Sequence, residues 1–198
     1  MIHFSDFIPD ADRTQFNGFE SIPNNGTFYT GGNGPYTEDG ITVQQINGDS
    51  GNDIWVTYSG AQHRQRYSWY PNGGDRGYTQ ITRSDGLDFF DIGFLLGSGF
   101  GSRAGTVLYD ILDNGISVLS GHFSPGSDYL GFSGGGFDTV RLADAFTPSY
   151  TGTVYDRHYN ALAIDNIEVR GGNSVPEPGS MALLAAGLAG FSWSRRRA

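Results

Sequence analysis

The chain has 198 residues, 31 of them Gly, 8 Pro and none Cys, with 37% hydrophobic and 17% charged side chains. That is enough for one domain with a core, and it excludes a disulfide scaffold, a thiolate metal site and a Cys nucleophile. Twelve basic groups against 21 acidic ones leave a net charge of −9, which argues against nucleic acid or anionic lipid as a partner of the body.

In chain order, Met1 to Phe7 has neither a basic region nor an apolar run, so it is not a secretory leader. His3-Phe4-Ser5-Asp6-Phe7 reads instead as a first strand that follows a leader. Runs rich in β-branched and aromatic residues then predict strands at Ile41–Ile46, Ile54–Tyr58, Asp88–Leu96, Tyr129–Phe132, Phe137–Leu142 and Ala161–Val169. The clearest hairpin joins Thr106–Leu112 to Ile116–Leu119 through Asn114-Gly115, a pair that tolerates the positive φ angles of a primed turn. Gly131 to Phe137 reads as a connection between hairpin strands. With about eight to ten strands and no amphipathic helix, the body (residues 1–170) is expected to be all-β, a two-sheet antiparallel sandwich of jelly-roll type.

From 171 the composition changes. Residues 171–180 form a linker containing Val175-Pro176-Glu177-Pro178, in which two prolines bar strand and helix interiors. Residues 181–194 follow as a short hydrophobic helix, uncharged and a little below the roughly 20 residues that span a bilayer untilted. The chain ends with Arg195, Arg196 and Arg197 in the tail 195–198, a charge cluster that holds its end on the cytoplasmic side.

Pro-Glu-Pro, short apolar helix and terminal arginines, in that order, resemble the PEP-CTERM sorting signal of Gram-negative bacteria. The resemblance implies export, transient anchoring in the inner membrane, processing near the motif by an exosortase, and delivery to the surface or beyond. It also implies the company of extracellular polysaccharide and biofilm systems. The body resembles carbohydrate-binding-module and jelly-roll domains through Phe19-Glu20 and the last strand Ala163-Ile164-Asp165-Asn166-Ile167-Glu168-Val169. That likeness implies a structural Ca²⁺ shared by Glu20 and Asp165, since hard Ca²⁺ takes six to eight oxygens. The other reading leaves Asp165 as a hydrogen-bonding strand residue.

The densest polar–aromatic segment holds Arg64, Arg66, Tyr67, Trp69, Tyr70, Arg76 and Tyr78. Flat rings stack on sugar faces while a few polar groups orient the ligand, so this segment is the candidate polysaccharide site; the same aromatics also suit one buried sheet face. Enzyme signatures are weak. Gly131-Phe132-Ser133-Gly134-Gly135 matches G-x-S-x-G but lacks a following helix. The body's three glutamates, Glu20, Glu38 and Glu168, form no close pair for glycoside hydrolysis. Asp10-Ala11-Asp12 starts like an EF-hand loop and then departs from it, and His3, His63, His122 and His158 are scattered. The leading expectation is a non-catalytic exported protein of the matrix or cell surface. A carbohydrate-binding module comes second and a glycan-active enzyme third.

Overall fold

In the computed structural model the described residues are 1–21, 28–30, 35–47, 53–56, 67–70, 77–98, 106–124, 129–145, 152–156 and 162–171. They form strands β1 (His3–Phe4), β2 (Gln15–Asn17), β3 (Phe28–Thr30), β4 (Tyr36–Glu38), β5 (Ile41–Ile46), β6 (Asp53–Val56) and β7 (Tyr67–Trp69). These are followed by β8 (Tyr78–Arg83), β9 (Phe89–Ser98), β10 (Thr106–Asp113), β11 (Ile116–Phe123), β12 (Tyr129–Phe137), β13 (Thr139–Ala145) and β14 (Leu162–Gly171). The helical element among the described residues is one 3₁₀ turn, Asp10–Asp12, over the residues that begin like an EF-hand loop.

Sheet A runs β1-β12-β9-β14-β7-β6-β3, with β2 also paired to β14; sheet B runs β11-β10-β13-β8-β5-β4. Neighbours are antiparallel throughout, and consecutive strands repeatedly change sheet, so the expected all-β sandwich is the observed architecture, consistent with a jelly roll. The inner faces meet in one core that includes Trp69, Phe94, Phe132, Ile81, Leu142 and Ile164.

The two sheets use their sequences differently. In β5, Ile41 and Val43 are buried while Thr42 and Gln44 stay half-exposed, the alternation of a sheet with one wet face. Residues 91–97 of β9 and 162–169 of β14 are buried without alternation: the N-terminal segment lies across the middle of sheet A, and Tyr70 packs on Ala163 further along. Ser5 N donates to Gly131 O at 2.9 Å, and Thr14 N donates to Val169 O at 2.9 Å. The segment between them therefore crosses β9, with Ile8 buried. Phe7 stacks on Tyr129 with ring centroids 4.0 Å apart. A Cβ added at Gly93 would lie 1.8 Å from the Tyr129 hydroxyl and 2.5 Å from its ring, so only glycine leaves room for this ring over β9.

The sandwich has two unlike ends. At one, the turn Asp39-Gly40, the link 84–88, the turn Asn114-Gly115 and the single corner residue Asp138 join the strands closely. Asn114 (φ 50°) and Gly115 (φ 79°) give the primed turn the sequence predicts. At the other end the strand termini Ile46, Ser98, Thr106, Phe123 and Tyr129 are joined through residues outside the described set.

Two expectations change. Gly131–Phe137 is not a connection: it is the second part of β12, bulged where Ser133 and Phe137 face Asp91 and Phe89. Gly134, Gly135 and Gly136 take positive φ there and bend the strand towards sheet B. The chain also has more strands than the eight to ten expected, since β2, β3, β4 and β7 are three residues each and too short to show a period. β14 continues one residue past the expected boundary at 170.

Candidate functional site

Four regions gather polar chemistry. The first is the seam where β2 and β7 share one edge of β14: Ile167 pairs with Asn17, and Ile164 pairs with Trp69. Between these pairs the chain 18–20 turns through Phe19, whose positive φ of 60° lets its ring plunge fully into the core. Asn17 holds the turn, its Oδ1 accepting from Phe19 N at 3.0 Å and its Nδ2 donating to Ile41 O at 3.2 Å. Glu20 follows, and its Oε1 accepts from Tyr67 N at 2.9 Å, two residues along β7 from the Trp69–Ile164 pair. Asp165 is fully buried on β14 and its Oδ1 accepts from Asn166 N at 2.7 Å. Glu20 thus lies beside β7 and Asp165 on β14, the two strands that meet at this seam. Asn166 takes a left-handed φ of 48°, and its buried Oδ1 accepts no hydrogen bond among the described residues.

The second region is the aromatic segment. Tyr67, Trp69, Tyr70 and Tyr78 are all buried. The Trp69 ring belongs to the inter-sheet core, where its Nε1 donates to Thr79 Oγ1 at 3.0 Å, which in turn donates to Gln45 Oε1 at 3.3 Å. Tyr67 and Trp69 take the core role that the sequence left open. Tyr70 packs on Ala163, and Tyr78 with Leu108, Ala143 and Val154, in small clusters of their own, so none of the four rings is open to a sugar. Arg64, Arg66 and Arg76 lie outside the described residues.

The third region lies on the outer face of sheet B, and no sequence pattern points to it. Asp110, Arg141, Gln80 and Gln44 stand in one cross-strand row. Arg141 Nε donates to Gln80 Oε1 and its Nη1 to Tyr155 Oη, both at 2.9 Å. Its guanidinium lies between the Tyr78 and Tyr155 rings, 5.2 and 5.7 Å from their centroids. Tyr155 donates onward to Asp110. Burial first, and the Asp110 carboxylate second, push the Tyr155 hydroxyl above the usual phenol range. Even so, the Tyr155 residue keeps 51% of its surface exposed.

The fourth is a trio of carboxylates, Asp88, Asp113 and Asp138, with oxygens within 4.8 Å of one another at the tightly turned end. Spaced 25 residues apart, they carry no sequence signal and meet only because three connections converge. Asp138 Oδ2 accepts from Asn114 N at 2.7 Å and Asp113 Oδ1 accepts from Asn114 Nδ2 at 2.7 Å, so the trio also braces the hairpin turn.

None of these arrangements is a recognisable catalytic set. Ser133, at the centre of the G-x-S-x-G match, sits within β12 and donates to Asp91, not at a strand-to-helix elbow. The three body glutamates are all tied to neighbours: Glu20 to Tyr67 N, Glu38 to the Tyr36 hydroxyl, and Glu168 to Arg13 at 2.9 Å.

Residues 174–197 match the PEP-CTERM protein-sorting motif. The match takes in Val175, Pro176, Glu177, Pro178 and Arg195–Arg197, all outside the described residues. A chain bearing this motif is one sorted through an exosortase, with its C-terminus associated with the membrane. No curated protein and no solved structure matches the chain significantly.

Proposed function

We propose that this is an exported β-sandwich protein, delivered to the cell surface or the surrounding matrix by its C-terminal signal and acting there without catalysis. The observation that carries the reading is the sorting motif over residues 174–197, joined directly to the last strand of a folded body. The non-catalytic part draws support from the carboxylates, which are spent on backbone amides, tyrosine hydroxyls and arginines of the body itself. On this reading an exosortase cuts near Pro176-Glu177-Pro178 and the mature protein lacks Met181–Ala198. Intact mass of protein recovered from the native host tests it, and a mature surface species that keeps the whole tail overturns it.

A structural Ca²⁺ at the Glu20–Asp165 seam belongs to the same proposal. Its support is the chemistry available along the seam: the Glu20 carboxylate beside β7, the buried Asp165 carboxylate on β14, and the buried Asn166 Oδ1, which accepts no hydrogen bond among the described residues. Oxygen donors of this kind suit Ca²⁺. A site present only in the folded chain stabilises it with calcium by about 2.7 kcal/mol at 100 times the dissociation constant, and the melting temperature rises accordingly. Asp165→Asn removes that response; a melt indifferent to calcium and chelator in the unsubstituted protein removes the ion.

Polysaccharide binding is the second reading, and the observation favouring it now lies on sheet B. An exposed Tyr155 ring beside the Arg141, Asp110 and Gln80 side chains offers a stacking face next to donors and acceptors. A glycan array run with the unsubstituted chain and with Tyr155→Ala tests it. Binding that the substitution abolishes supports a sugar site, and an array silent for both dismisses it.

A further inference from the structure

We infer that the tightly turned end of the sandwich is a membrane-resting face. While the tail is anchored, this end sits against a bilayer of zwitterionic, amine-bearing headgroups. The inference rests on the reading that the tail inserts in the membrane.

The first argument is reach. β14 ends at Gly171, paired with Phe89 at the start of β9. Pro176 lies five positions further and Met181 ten. At about 3.5 Å per residue, the sorting motif lies no more than about 18 Å from that end and the apolar run no more than about 35 Å. β9, with ten residues, separates the two ends of the sandwich by about 33 Å. A linker of that reach lets the Gly171 end rest on the membrane without strain, whereas the opposite end meets it only with the linker almost fully extended along the body.

The second argument is what that end displays. Leu87 on the 84–88 link, Phe90 at the start of β9 and Ile116 at the start of β11 are 39%, 53% and 70% exposed. Exposed apolar side chains also occur elsewhere on the body, as at Phe4, Phe7 and Val118, but those at this end lie within easy reach of the anchored tail, where a bilayer interface takes them up. Among them stand Asp88, Asp113 and Asp138. Carboxylates so placed attract the ammonium groups of phosphatidylethanolamine or phosphatidylcholine and are repelled by anionic lipid, as is a chain of net charge −9.

The third argument is strength. Three apolar side chains bind a bilayer weakly by themselves, but a short tether raises the effective concentration to about the millimolar range. The face is held while the tail is attached and lets go once the tail is cut. One end of the body thus steadies the sorting motif at the membrane without retaining the processed protein.

The absence of Cys allows a single reporter to be placed at will. Full-length Asn114→Cys, at the tightly turned end, and Ser124→Cys, exposed at the other end, are each labelled with a polarity-sensitive fluorophore and reconstituted into phosphatidylcholine–phosphatidylethanolamine vesicles. Flotation reads tail insertion; quenching by lipid-borne nitroxide reads contact. The expected result is flotation of both, with the label at position 114 quenched at least threefold more than that at 124. Adding Leu87→Ser, Phe90→Ser and Ile116→Ser should abolish the difference while flotation persists, and replacing half the lipid with phosphatidylglycerol should reduce it. Chains that do not float overturn the tail reading and this inference with it. Chains that float with equal quenching overturn the resting face alone. A difference seen only in native membranes, and not in protein-free vesicles, overturns the bilayer as the partner in favour of a membrane protein.

Discussion

The outer faces of the two sheets are built on opposite terms. Sheet B turns Thr37, Thr42, Thr82 and Thr139 outward in one register, and Thr37 and Thr42 share a 2.9 Å hydrogen bond. Towards its other end this face is covered where Val154 packs with Tyr78, Leu108 and Ala143. Part of sheet A is roofed by its own N-terminal segment, beside which Asp91 and Glu168 are buried carboxylates on a nominally outward face, and Asp165 is buried further along β14. Arg13 reaches Glu168 at 2.9 Å, and Arg170 pairs with Asp91. The comparison shows that a roof turns polar surface residues into partnered, desolvated ones. Changes beneath it should therefore cost more than changes on the open face.

The largest effect is expected from Arg13→Ala. Glu168 is 2% exposed and would keep its charge while losing a cation, which costs about 3 kcal/mol when a buried pair is broken. Denaturant midpoints should show that loss, and Glu168→Gln in the same background should recover part of it. If Arg13→Ala melts like the parent, the roof contributes nothing at this point.

Next comes Gly93→Ala. The new methyl group meets the Tyr129 ring at 2.5 Å, so the ring must leave its place over β9 and give up both the Phe7 stack and its 3.1 Å hydrogen bond to Asp6 O. Overpacking of this kind costs about 1–3 kcal/mol. Burial holds the Tyr129 hydroxyl above the ordinary phenol range, so its spectroscopic titration should fall towards ordinary values in the variant. An unchanged titration would place the ring elsewhere.

Much of this contrast was legible in the chain. The β-branched and aromatic content of Ile41–Ile46 and of Asp88–Leu96 marked both as strands, although which faces were wet emerges only from the register. What covered the second face was not legible, because Ser5 to Thr14 has no periodicity and docks through backbone groups. The glycine run was misplaced for a related reason. Three consecutive glycines signal positive φ, but sequence alone does not separate a bulge that bends one strand from a turn that ends it. At the candidate sites, Asp165 falls within β14, a strand legible from its apolar residues, whereas Glu20 follows β2, which is too short to show a pattern. Tyr67 and Trp69 suited a sugar platform and a core equally in composition, and register decided between them. The carboxylate trio and the Tyr155–Arg141–Asp110 group join residues from distant elements with no local pattern to read.

A smaller effect is expected where the sheets join. Arg83 donates Nε to Asp85 Oδ1 at 3.0 Å and Nη2 to Oδ2 at 2.5 Å, and the Arg83 hydrogen bonds hold the Asp85 carboxyl below its usual range. A carboxyl lowered in the folded state contributes stability that is present above its unfolded value and is lost as pH falls through the folded one. Asp85→Asn should therefore cost under about 1 kcal/mol at neutral pH, as exposed pairs do, and nothing once the parent's Asp85 is protonated. Melts of the two proteins at pH 7 and pH 2 check the convergence; a gap that persists in acid would assign the loss to the turn and not to the charge.

The smallest effect tests the open face directly. Thr82 is half-buried on β8, with in-register neighbours Thr42 and Thr139. Valine keeps the β-branched shape that suits a central strand and removes only the hydroxyl. On a wet face that hydroxyl exchanges protein neighbours for water at little net gain, so Thr82→Val should change stability by no more than about 0.5 kcal/mol. The same exchange of a polar group for an apolar one under the roof of sheet A would strand a partner, as at Ser133, which donates to Asp91. Ser133→Ala should therefore exceed Thr82→Val in a paired denaturant titration. Equal losses would show that sheet B, too, is covered, and a larger loss at Thr82 would reverse the contrast between the two faces.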